Sequence, residues 1–252
     1  MSNTSMLSIK ELTYAFKGTA PIFQHLKMEV KPGEFISVIG ASGSGKSTLF
    51  KLITGLLEPD HGEIRINGLD TRKRLGKIGY MPQKDLLLPW RTVVENVLLP
   101  VEITKENKRQ KLPEIQEWLE RFGLAEYENA YPDELSGGMR QRVAFLRTLM
   151  TGRELLLLDE PFGALDSMTK RSMHSWLLGL WGELQKTVMF ITHDLEEAIL
   201  LSDRIYLIQG EGHQALQVVE VNLERPRSPD LIYQPEFITI RKELEQLIHD
   251  ER

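Results

Sequence analysis

Residues 35–48 read FISVIGASGSGKST, and this stretch decides the kind of sheet the chain builds. Phe35–Ile39 is a short, unbroken apolar run, the mark of a strand buried on both faces. Gly40–Gly45 follows, and an apolar-faced helix is expected from about Lys46 to Thr54. Strand, glycine-rich turn and helix in that order point free N–H groups and the helix dipole at an anion. Residues 40–47, GASGSGKS, fit the spacing G-x-x-x-x-G-K-[ST]. The glycines let the backbone curl until its N–H groups face phosphates. Lys46 brings a mobile positive charge to the β- and γ-phosphates. The Ser47 hydroxyl suits Mg²⁺, which prefers oxygen ligands and keeps several waters. Gly40, Ala41, Ser42, Gly43, Ser44, Gly45, Lys46, Ser47 and Thr48 are therefore the candidate nucleotide-binding residues.

Two further stretches fit that loop. Residues 155–160, LLLLDE, end a second buried strand in two acids. At the C-terminal end of a central strand, Asp159 can hold hydrated Mg²⁺. Glu160 beside it can act as base or positioner for an attacking water. His193 follows the apolar run Thr187–Thr192. Ligand crevices of open α/β sheets lie at such strand ends, so His193 is a candidate to reach the γ-phosphate. The chemistry these residues imply is hydrolysis of a Mg-nucleotide.

Around these points the chain alternates strands and helices, which calls for a parallel-rich α/β sheet. Leu7–Leu12 and Ile22–Val30 read as strands, as do residues 62–67, 78–81 and Arg204–Ile208; Leu195–Leu201 reads as a helix. From Asp85 to about Thr148 strand patterns are lacking, while Glu114–Arg121 and Arg140–Leu149 have helical spacing; this is read as a helical subdomain inserted at about 85–150. The division expected is a main domain over 1–212 and a tail over 213–252. The tail carries an amphipathic helix with Phe237, Ile240, Leu244 and Leu247 on one face, expected to pack on its own domain.

Composition narrows the function. The 252 residues are 41% hydrophobic, enough to bury a core, and the formal net charge of -5 argues against non-specific nucleic-acid binding. There is no Cys, so disulfides and thiolate metal sites are excluded. The dense apolar stretches, such as Leu155–Leu158, fall far short of the roughly 20 residues of a spanning helix. The first residues, MSNTSMLSIK, lack a basic-then-apolar leader, so the chain is expected to stay in the cytosol.

Residues 131–146, YPDELSGGMRQRVAFL, pose a separate question. Ser136-Gly137-Gly138 at a helix start has the form of an anion site, yet no lysine or metal ligand stands beside it. Taken together, these motifs resemble the ATPase subunits of ABC transporters over about residues 7–210. GASGSGKST resembles their Walker A, LLLLDEP their Walker B, and LSGGMRQR (Leu135, Ser136, Gly137, Gly138, Gln141) their signature. Gln83 in YMPQKD resembles the Q-loop glutamine, Ala164-Leu165-Asp166 the D-loop and His193 the switch histidine. Phe16 falls where the family has an adenine-stacking aromatic, with Tyr14 as the weaker choice.

The resemblance implies an α/β P-loop NTPase fold: a RecA-like core, an antiparallel β-subdomain and an inserted helical subdomain carrying the signature. It implies ATP and Mg²⁺, the metal held near Ser47, Gln83 and Asp159. It also implies two subunits closing head-to-tail, as a homodimer, so that each signature meets the other's ATP. DEPFGALD resembles importer ATPases, and KDLLLPWRTVVENV and ERPR resemble those for nitrate, sulfonates, taurine and thiamine precursors. The implied partners are an integral membrane permease docking at about Lys84–Val93 and, indirectly, an extracytoplasmic solute-binding protein; no nucleic acid is implied. The implied location is the cytoplasmic face of the membrane. About half of the apolar side chains Leu86, Leu87, Leu88 and Trp90 are expected to fill the core and the rest to dock. The alternatives are an exporter or lipoprotein-release ATPase, and a DNA-acting ABC ATPase, whose long coiled coil is not visible here. Leu146-Arg147-Thr148 in place of Ala-Arg-Ala, TGRE before Walker B, and Phe16 in place of Tyr depart from the family pattern.

Overall fold

A computed structural model describes residues 5–70, 73–163, 165–184, 186–209 and 216–249. The boundary expected at 212/213, and Ala164 of the D-loop stretch, lie outside the described residues. The chain opens with β1 (Leu7–Ala15), β2 (Pro21–Val30), β3 (Phe35–Gly40) and α1 (Lys46–Thr54). Next come β4 (His61–Ile66), β5 (Leu69–Asp70) and β6 (Gly79–Met81). Four helices follow: α2 (Val93–Val97), α3 (Leu99–Ile103), α4 (Lys108–Arg121) and α5 (Gly137–Leu149). The rest is β7 (Leu155–Asp159), α6 (Ser167–Leu184), β8 (Thr187–Ile191), α7 (Leu195–Leu201), β9 (Arg204–Ile208), β10 (Leu216–Glu220) and α8 (Pro235–His249).

The strands form two sheets. The smaller, ordered β2-β1-β4-β5, is antiparallel. The larger is ordered β10-β9-β3-β8-β7-β6, parallel except for β10 at one edge. The period of two along its central strands divides the core. Ile36, Val38, Leu155, Leu157, Met189 and Ile191 face α1 and the smaller sheet. Leu156, Leu158, Val188 and Phe190 face the other way, onto Met173, Leu177 and Trp181 of α6 and the cluster continuous with the helical segment. Both faces are covered, which is why these strands read as unbroken apolar runs.

Between β6 and β7 the described residues contain no strand, as the spacing predicts. Ile115, Leu119 and Phe122 of the α4 region pack with Val143 and Phe145 of α5 to give this inserted unit its core. The tail shares the main core: β10 pairs with β9, and Phe237 and Leu244 of α8 are buried with Ala198, Ile199 and Val219. Ile240 and Leu247 flank them, so the apolar face expected on this helix does pack on its own domain.

Candidate nucleotide site

Strands β3, β8 and β7 are neighbours, and Val38, Ile191 and Asp159 lie side by side in their registers. That alignment brings the glycine loop after β3, the acids ending β7 and His193 after β8 to one rim of the sheet. There they line a cleft of about 680 Å³ with Phe16, Ile22, Ser42, Gly43, Gly45, Lys46, Ser47, Thr48, Gln83, Glu160 and His193. Gly45 caps α1 with φ 91°, and a Cβ there would stand 2.6 Å from Ile22 Cγ2 and 3.0 Å from Phe23 Cζ, so only glycine fits. Lys46 is buried, and its ammonium donates to the Gly40 and Ala41 carbonyls at 2.9 and 2.8 Å. Burial pulls its pKa down, against the opposing pull of Glu160 and Asp159.

Asp159 is 4% exposed. Ser47 Oγ donates to one of its oxygens and the Tyr80 hydroxyl to the other, each at 3.3 Å. Burial raises the Asp159 pKa, and these two donors oppose the rise. A hydroxyl and a single carboxylate are hard oxygen ligands of the kind Mg²⁺ takes when it keeps most of its waters.

Glu160 is held in the left-handed region (φ 46°), with its backbone N–H donating to the Ile191 carbonyl at 3.0 Å. A non-glycine residue at positive φ is strained, and such strain concentrates at functional sites. Gln83 Nε2 donates to Glu160 Oε2 at 3.0 Å, and His193 Nδ1 lies 3.6 Å from the same oxygen. Gln83 and His193, far apart in sequence, thus meet on the Glu160 carboxylate. Phe16 is half-exposed at the cleft, edge-on to Tyr14 (5.3 Å, 79°), whereas Tyr14 is buried; the geometry favours Phe16 as the ring offered to a base.

The signature residues lie elsewhere. Ser136 caps α5, its Oγ accepting from Met139 N–H at 3.3 Å. A Cβ at Gly138 would stand 2.7 Å from Thr169 Cγ2, so glycine is required where α5 meets α6. Ser136, Gly138, Met139, Arg142, Met168, Thr169 and Ser172 line a shallow depression that shares no residue with the glycine-loop cleft. Leu135 and Gln141 are buried beside it. Asp166 caps α6, accepting from Met168 N–H, Thr169 N–H and Thr169 Oγ1.

Residues 23–163 match the ABC transporter family. The chain belongs to that family. It is 43% identical to the formylaminopyrimidine import ATP-binding protein ThiZ of Halalkalibacterium halodurans, over 98% of this chain and 97% of that one. It is 40% identical to the aliphatic sulfonates import ATP-binding protein SsuB of Bacillus thuringiensis, over 88% of each. Among solved structures, the ATP-binding cassette MJ0796, a dimer in a post-hydrolysis state bound to ADP and Pi, superposes with a TM-score of 0.73. It is 31% identical over 87% of this chain and 100% of that one. The chain is an ABC importer ATPase.

The segment Lys84–Val93 of this ABC ATPase divides as the sequence reading expects. Leu87 is buried in the helical core and Leu88 half-buried, while Leu86 and Trp90 are 58% and 71% exposed. Arg147, which keeps the arginine of the family's Ala-Arg-Ala between the departures Leu146 and Thr148, fastens this segment by donating to the Asp85 and Leu86 carbonyls at 2.5 and 2.8 Å. Beside it runs an apolar groove of about 280 Å³, lined in part by Ile78, Tyr80, Leu99, Ile103 and Arg147, which the sequence reading did not single out. Leu99 and Ile103, four apart on one helical face, were the available signal. No helix among the described residues is long and apolar enough to cross a membrane.

Proposed function

We propose that this chain powers uptake of a small polar solute, of the thiamine-precursor or sulfonate kind handled by its relatives, through a separate membrane permease. The convergence of Gln83 and His193 on one Glu160 oxygen beside the glycine loop carries the ATPase part of this reading, and the similarity to import ATP-binding proteins supports its coupling to uptake. Gly40 to Thr48 cradle the ATP phosphates and Phe16 stacks on adenine. Ser47, Asp159 and Gln83 hold Mg²⁺, which when bound neutralises charge on the β- and γ-phosphates. Glu160 orients and polarises the attacking water, and His193 holds the γ-phosphate end of the cleft. Leu135, Ser136, Gly137, Gly138 and Gln141 serve the ATP of a second copy, with Asp166 at the same interface. The separation of the two sets of cleft residues within one chain supports that sharing.

The permease docks on residues 84–93 and the adjoining groove, where Leu86 and Trp90 offer exposed apolar anchors. The ATPase then sits peripherally on the cytoplasmic face, and an extracytoplasmic binding protein delivers the solute. Gel filtration of the Glu160→Gln variant with ATP tests the core of this reading. The expected result is a stable ATP-bound dimer with turnover nearly abolished; a persistent monomer would overturn the shared-site arrangement. Uptake assays with the reconstituted permease, offering formylaminopyrimidine against an aliphatic sulfonate, decide the solute.

A further inference from the structure

The roles above leave one buried polar cluster unused, and it surrounds the backbone of His193. Glu197, on α7, is 2% exposed and its carboxylate is fully engaged. One oxygen meets Lys170 Nζ at 2.8 Å and His174 Nε2 at 3.0 Å. The other accepts from Thr192 Oγ1 at 2.5 Å. Thr192 Oγ1 in turn accepts from the Asp194 N–H at 3.0 Å. Lys170 also bonds Asp194 Oδ2 at 2.9 Å, while Asp194 Oδ1 caps α7 through the Glu196 and Glu197 N–H groups. The residues on both sides of His193 are therefore held by the same two side chains, Glu197 and Lys170. His193 itself is 62% exposed on its side chain, and its ring approaches Glu160 at 3.6 Å. Its placement depends on the fixed backbone beneath it.

The cluster also joins two elements that would move together. Lys170 lies in the first turn of α6, where its N–H donates to the Asp166 carbonyl at 2.9 Å. Asp166 caps that same turn. Lys170 thus connects the Asp166 turn directly to Asp194 and Glu197, which hold the backbone on either side of His193.

We infer that Glu197 is a positioning residue for His193, and that Lys170 ties the His193 backbone to the start of α6. The inference rests on the role proposed above for His193. A group displaced from its working geometry loses up to about 100-fold in rate, and a partial loosening accordingly costs on the order of tenfold.

The experiment compares wild type, Glu197→Gln, His193→Ala and the double variant in steady-state and single-turnover ATP hydrolysis. Glu197→Gln is expected to lower kcat about tenfold while leaving KM for ATP and the ATP-induced dimer of a Glu160→Gln background unchanged. In the double variant no loss beyond that of His193→Ala is expected, because the two act through one group. Lys170→Met is expected to behave like Glu197→Gln, and Lys170→Arg to retain most of the rate. It carries the same prediction on a more exposed residue if Glu197→Gln fails to fold. The ring resonance of His193, read in ¹H–¹³C spectra against the five other histidines, is expected to shift in Glu197→Gln. A kcat for Glu197→Gln within about twofold of wild type, a loss that multiplies with that of His193→Ala, or an unmoved His193 resonance would overturn the inference. Full turnover in His193→Ala would instead refute the role of His193 itself.

Discussion

Arg227, in the ERPR stretch, is expected to be among the costliest residues of the tail to replace. It is 6% exposed, and no carboxylate is among its hydrogen-bond acceptors. Its guanidinium donates to the Ile199, Leu200 and Ser202 carbonyls at the end of α7 and to the Val221 and Leu223 carbonyls beyond β10. Val221 O has a second donor in Leu223 N–H, which leaves four carbonyls for which Arg227 matters most. At about 1.5 kcal/mol for each of the four carbonyls left unpaired, toward the low end of the roughly 1–3 kcal/mol such a group costs, Arg227→Met loses roughly 6 kcal/mol. Burial of the charge works in the opposite direction: it pulls the guanidinium pKa down to about 10, with Arg225 adding to the effect. At ~1.4 kcal/mol per pH unit, removing the charge restores roughly 3 kcal/mol. The net cost is about 3 kcal/mol, or about 6–12 °C in Tm for a chain of this size. Arg227→Lys is expected to fall at least as far, because it keeps the buried charge but offers its donors from one point instead of a planar fork. Scanning calorimetry of the three proteins decides the matter. A drop under about 2 °C for Met, or a Lys variant as stable as wild type, would refute the reasoning.

Gly45→Ala is expected to weaken ATP binding at least about fivefold by titration calorimetry, since the strained backbone and the contact with Ile22 together cost more than about 1 kcal/mol; unchanged affinity would count against the loop's role. Trp90→Ala is expected to leave the basal ATPase intact while reducing permease stimulation, and full stimulation would exclude Trp90 from the docking face. Burial alone would raise the carboxylate pKa values of Glu197 and Asp194, but bonds from Lys170, with His174 and Thr192 at Glu197, outweigh it and hold both below the ordinary range. The stability they confer is complete above the unfolded values of about 4 and is lost as pH falls through the lower folded values. The acid limb of Tm against pH is therefore expected to be shallower in Glu197→Gln, and identical limbs would contradict that assignment. Mixing Lys46→Ala with Ser136→Arg subunits, each inactive alone, is expected to recover hydrolysis, because one site of the mixed dimer then has both halves intact; no recovery would argue against shared sites.

The parts legible in sequence were those with a strong local code. The buried strands Phe35–Gly40, Leu155–Asp159 and Thr187–Ile191 announce themselves as short, largely apolar runs, interrupted only by Ser37 or bounded by Asp159 and Thr187, and the glycine loop has its own spacing. The 18-residue helix Ser167–Leu184 was missed: Gly179 and Gly182 interrupt it, and its cap, Asp166, had already been read as part of a motif. The five-residue helices Val93–Val97 and Leu99–Ile103 carry weak signals: the capping box of Thr92 and Glu95 for the first, and Pro100 in the first turn with Leu99 and Ile103 four apart for the second. At the edge, Leu216–Glu220 buries a single residue, Val219, so its alternation is faint. The Tyr80 bond to Asp159 and the cluster around Glu197 were invisible for a different reason. Each joins residues from separate elements, and only the sheet order makes them neighbours.

That same sheet order gives the stretch YPDELSGGMRQRVAFL its meaning. Lys46, Asp159 and His193 share a rim because β3, β7 and β8 are adjacent, whereas Ser136 is carried on a helix inserted between β6 and β7. An insertion at that point leaves the registers of the larger sheet untouched, so the helical unit is free to face outward without disturbing the glycine-loop cleft. Its anion-favouring helix start, with Ser136 as cap and Gly137 exposed, lines a depression of its own. A site with donors and no lysine is incomplete for a nucleotide, and a cleft with lysine and acids on one rim is open on the other. The two deficits are complementary, and the second copy in the proposed head-to-tail pair would supply both at once. On this reading the missing lysine is a consequence of division of labour between subunits.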